Sequence, residues 1–175
     1  MTSLLTAALL LAGPPRFLGP PEKKPADSDS PGPQPGAVAP PLSAPVMNPN
    51  RAGMRRVELP NARARVILLS FFDAACAACK AELPVLDGLY TQYKAGGLLV
   101  VAVAPDPSAL LSLRAVSYPV IEDRDSAVAR SYLGPHPAYP AVVIVGRDGR
   151  IASAKAGYRD DPAVLLRAQV ESALR

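Results

Sequence analysis

The sequence predicts an α/β fold, a mixed sheet of four to five strands with helices on both faces, preceded by a disordered N-terminal arm. Three observations predict it. Two continuous apolar runs, residues 65–72 and 98–104, flank a segment whose apolar residues recur at helical spacing. Two further β-rich runs, residues 141–145 and 151–156, flank Gly146-Arg147-Asp148-Gly149. Of the 21 prolines, 13 lie between Pro14 and Pro60, so the folded unit is expected beyond them.

Residues 1–13 contain an apolar stretch (LLTAALLLAG) of the length of a signal-peptide core. Export is the expected role, and a cytoplasmic chain with an apolar N-terminus is the alternative. No Lys or Arg precedes the stretch, and Pro14 and Pro15 crowd the cleavage point. Residues 14–54, rich in Pro, Gly, Ala and Ser, are expected to form a disordered linker. Such chain buries too little apolar surface to offset its ordering entropy. The globular domain is expected over residues 55–175.

The run RVILLSFF (65–72) is apolar without alternation, as in a strand buried on both faces. Leu83, Leu86, Tyr90 and Tyr93 mark one face of the following helix, which Gly96-Gly97 stops. Leu98–Ala104 (LLVVAVA) is a second buried strand. Strand, helix and strand in that order predict a right-handed unit with parallel strands. A short helix is expected near residues 108–116, an extended segment at 118–121 and a helix at 126–133. Asp148-Gly149 between the last two β-rich runs signals a hairpin. Asp160-Asp161-Pro162 opens a final helix, because an acid at its start and a proline in its first turn suit a helix N-terminus. Val164, Leu165, Ala168 and Leu174 are expected to give that helix its apolar side.

The net charge of +4 is unevenly placed. Residues 1–65 hold eight Lys and Arg against four acids, and the remainder is balanced. Nucleic-acid binding requires a basic face on the folded part, so no nucleic-acid partner is expected. The arm and its junction, Arg51 to Arg65, offer weak contact with an anionic membrane surface, although a solvated arginine edge is the favoured reading. No apolar run reaches the ~18–20 residues of a membrane span. Two cysteines exclude a disulfide-rich scaffold. With His136 as the one histidine they cannot fill a four-ligand zinc site, and no metal or cofactor is expected.

The strongest chemical signal is Cys76-Ala77-Ala78-Cys79 at the junction of the first buried strand and its helix. Two intervening residues bring the sulfurs within bonding reach when the first cysteine lies at the helix N-terminus. Free N–H groups and the positive end of the helix dipole there favour thiolate over thiol. Cys76 is therefore expected to be a nucleophile near neutral pH, and Cys79, one turn in, to act second. An inert staple is the competing reading, but so short a closed loop stabilises little. A c-type haem site would need His after the second cysteine, where Lys80 stands.

The segment CAACKAELP resembles the C-x-x-C-K-x-E-x-P pattern of the thioredoxin-like superfamily, most closely its tethered extracytoplasmic thiol-disulfide oxidoreductases of the TlpA/ResA kind. Cys76, Cys79, Lys80, Glu82 and Pro84 carry the match. The resemblance implies a thioredoxin-like three-layer sandwich and a redox-active disulfide between Cys76 and Cys79. It implies a protein thiol-disulfide oxidoreductase outside the cytoplasm, in the periplasm or tethered to the membrane, acting as a disulfide reductase on protein thiols or disulfides and recharged by an upstream thiol donor; a monomer is expected. It also implies a cis proline at Pro140, which would expose the Tyr139 backbone to an extended substrate. Tyr139 and Pro140 are thus the substrate-binding candidates, and Pro140 joins the cysteines as a catalytic one.

The departures matter as well. Ala75 stands where a tryptophan is usual, and Ser70 where cytosolic thioredoxins place a buried aspartate. A hydroxyl is no general base near pH 7, so Glu82 or Asp73 is left to tune the thiols, against the alternatives of an exposed helix carboxylate and a solvent-facing loop acid. Two other functions remain open. A copper-carrying or thiol-binding module would use C-x-x-x-C with a distant histidine, and here the spacing is one residue short, although His136 is present. A peroxiredoxin-type peroxidase would need P-x-x-x-T/S-x-x-C before its nucleophile, and Leu69 and Asp73 occupy those positions.

Overall fold

The computed structural model describes residues 33–60, 63–113, 116–157 and 161–175. The apolar stretch of residues 4–13 and the linker up to residue 32 lie outside the described residues. The rest of the expected linker is part of the fold. Strand β1 (Leu42–Pro45), the single-turn helix α1 (Pro49–Ala52) and strand β2 (Arg56–Leu59) form an antiparallel ribbon with its connection. Its alternating residues Leu42, Ala44, Val57 and Leu59 are buried against the main sheet. The start of the domain thus moves from residue 55 to the segment that opens at Pro33. Proline content alone does not separate a linker from an edge ribbon. Period-2 alternation in LSAP and RVEL gives each strand one apolar face, and an edge ribbon tolerates prolines that a central strand does not. Asn48 ties the ribbon down. Its side chain donates to the carbonyl of Tyr118 and accepts from the N–H of Val120, both at 2.9 Å.

The main sheet follows. Strand β3 (Val66–Phe71) leads to helix α2 (Ala77–Tyr93), a short 3-10 turn (Lys94–Gly96) and strand β4 (Leu98–Ala104). Helix α3 (Ser108–Ser112), strand β5 (Val120–Glu122) and helix α4 (Ala127–Leu133) come next, then strands β6 (Ala141–Val145) and β7 (Ile151–Ala156) and helix α5 (Pro162–Leu174). The strand order is β5-β4-β3-β6-β7. β3, β4 and β5 run parallel, whereas β6 is antiparallel to β3 and β7 to β6. β3, β4 and β6 are buried along their whole length, the mark of strands covered on both faces. Residues 36–39 lie along the free edge of β7 through hydrogen bonds to Ile151 and Gly149, which blunts that edge.

Two cores result. One face packs Leu68, Val100 and Ile144 against Leu83, Leu86 and Leu89 of α2 and Leu166 and Val170 of α5. The other packs Leu69, Val101 and Val143 against the β1–β2 ribbon and Ala129, Tyr132 and Leu133 of α4. The face of α5 differs from the one expected. Val164 and Leu165 are 61% and 42% exposed, and the i, i+4 pair Leu166 and Val170 turns inward instead. Gly97, at φ +100°, lets the chain enter β4. A Cβ there would stand 2.8 Å from Arg65 Cγ.

Candidate active site

β3 ends at Phe71, and the chain crosses a tight turn before α2 begins. The Oδ1 of Asp73 accepts from the N–H of Ala75 at 2.7 Å, and its carbonyl accepts from the N–H of Cys76 at 3.1 Å. Asp73, half-buried, thus shapes the turn that delivers Cys76 to the helix. Cys76 is the N-cap of α2, with φ −83° and ψ 107°. Its Sγ accepts a hydrogen bond from the N–H of Cys79 at 3.0 Å, the contact a serine or aspartate oxygen makes in an ordinary cap. The two sulfurs are bonded, with their Cα atoms 5.2 Å apart. Cys76 is half-buried, whereas Cys79 is only 3% exposed and belongs to the α2-side core. One sulfur therefore faces outward at the positive end of a 17-residue helix, and the other lies beneath it.

The pairing of β3 with β6 fixes the other wall. Phe71 lies opposite Ala141, so Pro140 stands level with Phe72, at the end of the sheet from which the cysteines project. The Tyr139–Pro140 peptide is cis. Tyr139 is half-buried and packs against the same core cluster as Cys76, Cys79 and Phe72. The carbonyl of Pro140 accepts from the N–H of Gly157 at 2.8 Å, which anchors this loop to the end of β7.

Glu82 sits one turn beyond Cys79 on the inner face of α2 and is only 6% exposed. Burial pushes its carboxyl above the ordinary 4.5, because the charged form loses hydration there. It lines a small cavity with Pro140, Val142, Lys155, Leu165 and Gln169, roomy enough for a water molecule. Glu82 is therefore not the exposed helix carboxylate that was one of its two sequence readings. Ser70 is buried within β3. His136 is exposed and lines a different cavity, with Pro33, Gln34, Tyr132 and Ala154. Among the described residues, no three His, Cys, Asp or Glu side chains converge to hold a metal ion. Lys155 was not anticipated at the site. The hairpin register brings it there by pairing it with Val142, and the β-bulge between Ile144 and Val145 that sets this register is not readable from Asp148-Gly149 alone.

Residues 35–154 match the model of the AhpC/TSA family. The chain belongs to the AhpC/TSA family. Curated relatives of this family member include thiol-disulfide oxidoreductase ResA of Oceanobacillus iheyensis, 32% identical over 87 residues that make up 46% of this chain and 45% of the relative. Thiol-disulfide oxidoreductase ResA of Bacillus subtilis is 26% identical over 109 residues, 59% of either chain. The chain thus spans about half the length of the curated relatives it matches. A solved structure described as thiol:disulfide interchange protein DsbE from Chlorobium tepidum superposes with a TM-score of 0.70 at 25% identity, covering 82% of this chain and 99% of that one. The fold is thioredoxin-like. Among the described residues no helix is long and apolar enough to cross a membrane.

Proposed function

We propose that this protein exchanges thiols and disulfides with protein substrates through Cys76 and Cys79, and that it works as a disulfide reductase outside the cytoplasm. The observation that carries the proposal is the N–H of Cys79 aimed at Cys76 Sγ at the head of α2. That donor and the helix dipole stabilise an anion on Cys76 and do nothing comparable for Cys79.

The steps follow from that asymmetry. In the reduced protein the Cys76 thiolate attacks one sulfur of a substrate disulfide. A mixed disulfide forms and the other substrate sulfur leaves as thiolate. Cys79 then loses its proton and attacks Cys76 Sγ, which releases the second substrate thiolate. The protein is left with the Cys76–Cys79 bond and the substrate has gained two electrons. An external dithiol reverses these steps on the protein and restores it.

Glu82, buried one turn beyond Cys79 on the same helix, is the group we assign to take the Cys79 proton. Its raised pKa makes it a better base than an exposed carboxylate. Pro140 and Tyr139, at the same end of the sheet as Cys76, are the residues we assign to hold an extended substrate backbone. Asp73 holds the turn. The apolar stretch of residues 4–13 and the TlpA/ResA resemblance support export. The exposed large apolar residues are scattered, which supports action as a monomer.

Reduction of insulin disulfides by dithiothreitol, with and without the protein, tests the reading. Acceleration that disappears in Cys76→Ser supports exchange. In Cys79→Ser, mixed disulfides with substrate should accumulate. Tight copper binding that needs both cysteines, without acceleration, would instead select the carrier reading.

A further inference from the structure

The strands place opposite charge at the two ends of the domain. Where β3 and β4 begin and β6 turns into β7, six exposed cations gather: Arg55, Arg63, Arg65, Lys94, Arg147 and Arg150. Arg63 and Lys94 line one shallow cavity there with Met54 and Gly97. Arg147 lines a second with Val38 and Pro60. The nearby acids are Glu58, exposed on β2 beside the Leu59 and Pro60 that line the Arg147 cavity, Asp148, which accepts from the N–H of Arg150, and Glu171, which is hydrogen-bonded by Tyr93. The opposite end, from which Cys76 projects, carries Asp73, Asp106, Glu122, Asp123, Asp125 and Asp161 against Lys80, Arg124, Arg130 and Lys155.

The cations do not stand alone. Val38, 68% exposed, pairs with Arg150 across a β-bridge, and the Arg150 guanidinium donates to the carbonyl of Gly36 at 2.7 Å. The most exposed large apolar side chain among the described residues is therefore held among arginines. A cationic face with an exposed apolar side chain at its rim gains from both headgroup and acyl boundary of a bilayer. A sugar-phosphate backbone would reward only the charges.

We propose that this basic end docks the domain on an anionic phospholipid surface, with the Cys76–Cys79 pair facing away from the membrane. The geometry sets the orientation. The length of β3 separates the two ends by about 20 Å, more than two Debye lengths at physiological salt. The surface attracts the basic end while the acidic end lies outside its field. Individual arginines gathered here were expected from the sequence to be a solvated edge. The structure adds Lys94, Arg147, Arg150 and Val38 from distant parts of the chain.

Co-sedimentation of the full chain with vesicles tests the proposal. Vesicles of phosphatidylcholine alone are compared with vesicles containing 30 mol% phosphatidylglycerol, roughly the anionic content needed for a strong surface potential. Binding should require the anionic lipid and weaken at high salt. The triple variant Arg55→Gln, Lys94→Gln, Arg147→Gln should bind on the order of 100-fold more weakly. The control Arg124→Gln, Arg130→Gln should bind as the parent does. Bound, reduced protein should react with a membrane-impermeant thiol reagent as fast as free protein. Equal binding to neutral vesicles would overturn the proposal, as would undiminished binding of the triple variant. So would shielding of Cys76 on the vesicle, or displacement by duplex DNA at matched phosphate.

Discussion

The backbone N–H of Cys79 points at the Sγ of Cys76 from 3.0 Å, so the second cysteine's own peptide group serves as cap donor to the first. The C-x-x-C spacing makes this possible, since residues N-cap and N3 of a helix are three apart. The same relationship separates the roles of the two sulfurs. Cys76 accepts the bond at the helix mouth, and Cys79 is packed into the core.

Glu82→Gln should slow the step in which Cys79 resolves the mixed disulfide, by on the order of 100-fold. Initial attack by Cys76 should change little. Rapid-quench trapping of the mixed disulfide separates the two rates. Equal slowing of both would move Glu82 out of the proton-transfer role.

The same residue predicts a dependence of stability on pH. Burial raises the Glu82 carboxyl above 4.5, so the folded chain keeps its proton after the unfolded chain has lost it. Its contribution is fully present below pH 4.5 and is lost as pH rises through the higher folded value. Glu82→Gln should remove that decline, and should therefore gain on the parent in urea melts as pH is raised. Parallel stability curves for parent and variant would contradict the burial argument.

Asn48→Ala should destabilise the domain by roughly 1–3 kcal/mol, because it leaves the Tyr118 carbonyl and the Val120 N–H without their partner in a buried setting. The alkylation rate of Cys76 should be unchanged, since Asn48 lies on the β5 edge. A neutral substitution would mean that the β1–β2 ribbon is not integral to the fold.

Asp161 caps α5 by accepting from the N–H of Val164 at 3.2 Å. Asp161→Ala should cost about 1 kcal/mol, and Asp161→Asn much less. Thermal melts of the two variants distinguish a capping role from a purely electrostatic one, in which they would fall together.

The central strands were legible because burial on both faces leaves an unbroken apolar run, and β3, β4 and β6 are such runs. The cysteine pair was legible because its spacing has one local geometry at a helix start. The ribbon before residue 55 was not, because prolines at an edge look like prolines in a linker. The inner face of α5 was misjudged because Val164, Leu165, Leu166 and Val170 offer two apolar stripes, and only packing against β3 and β6 chooses between them. Glu82 could be placed at one helical turn from Cys79. Its burial depends on α5 and β6 closing over it, a contact no local pattern records.

The most direct measurement is the alkylation rate of each thiol in the reduced protein as a function of pH, resolved by mass. Cys76 should titrate well below the ordinary thiol value of about 8.5 and react at neutral pH, while Cys79 stays protected until the medium is alkaline. Two cysteines titrating together near the ordinary value, or Cys79 reacting first, would contradict the account.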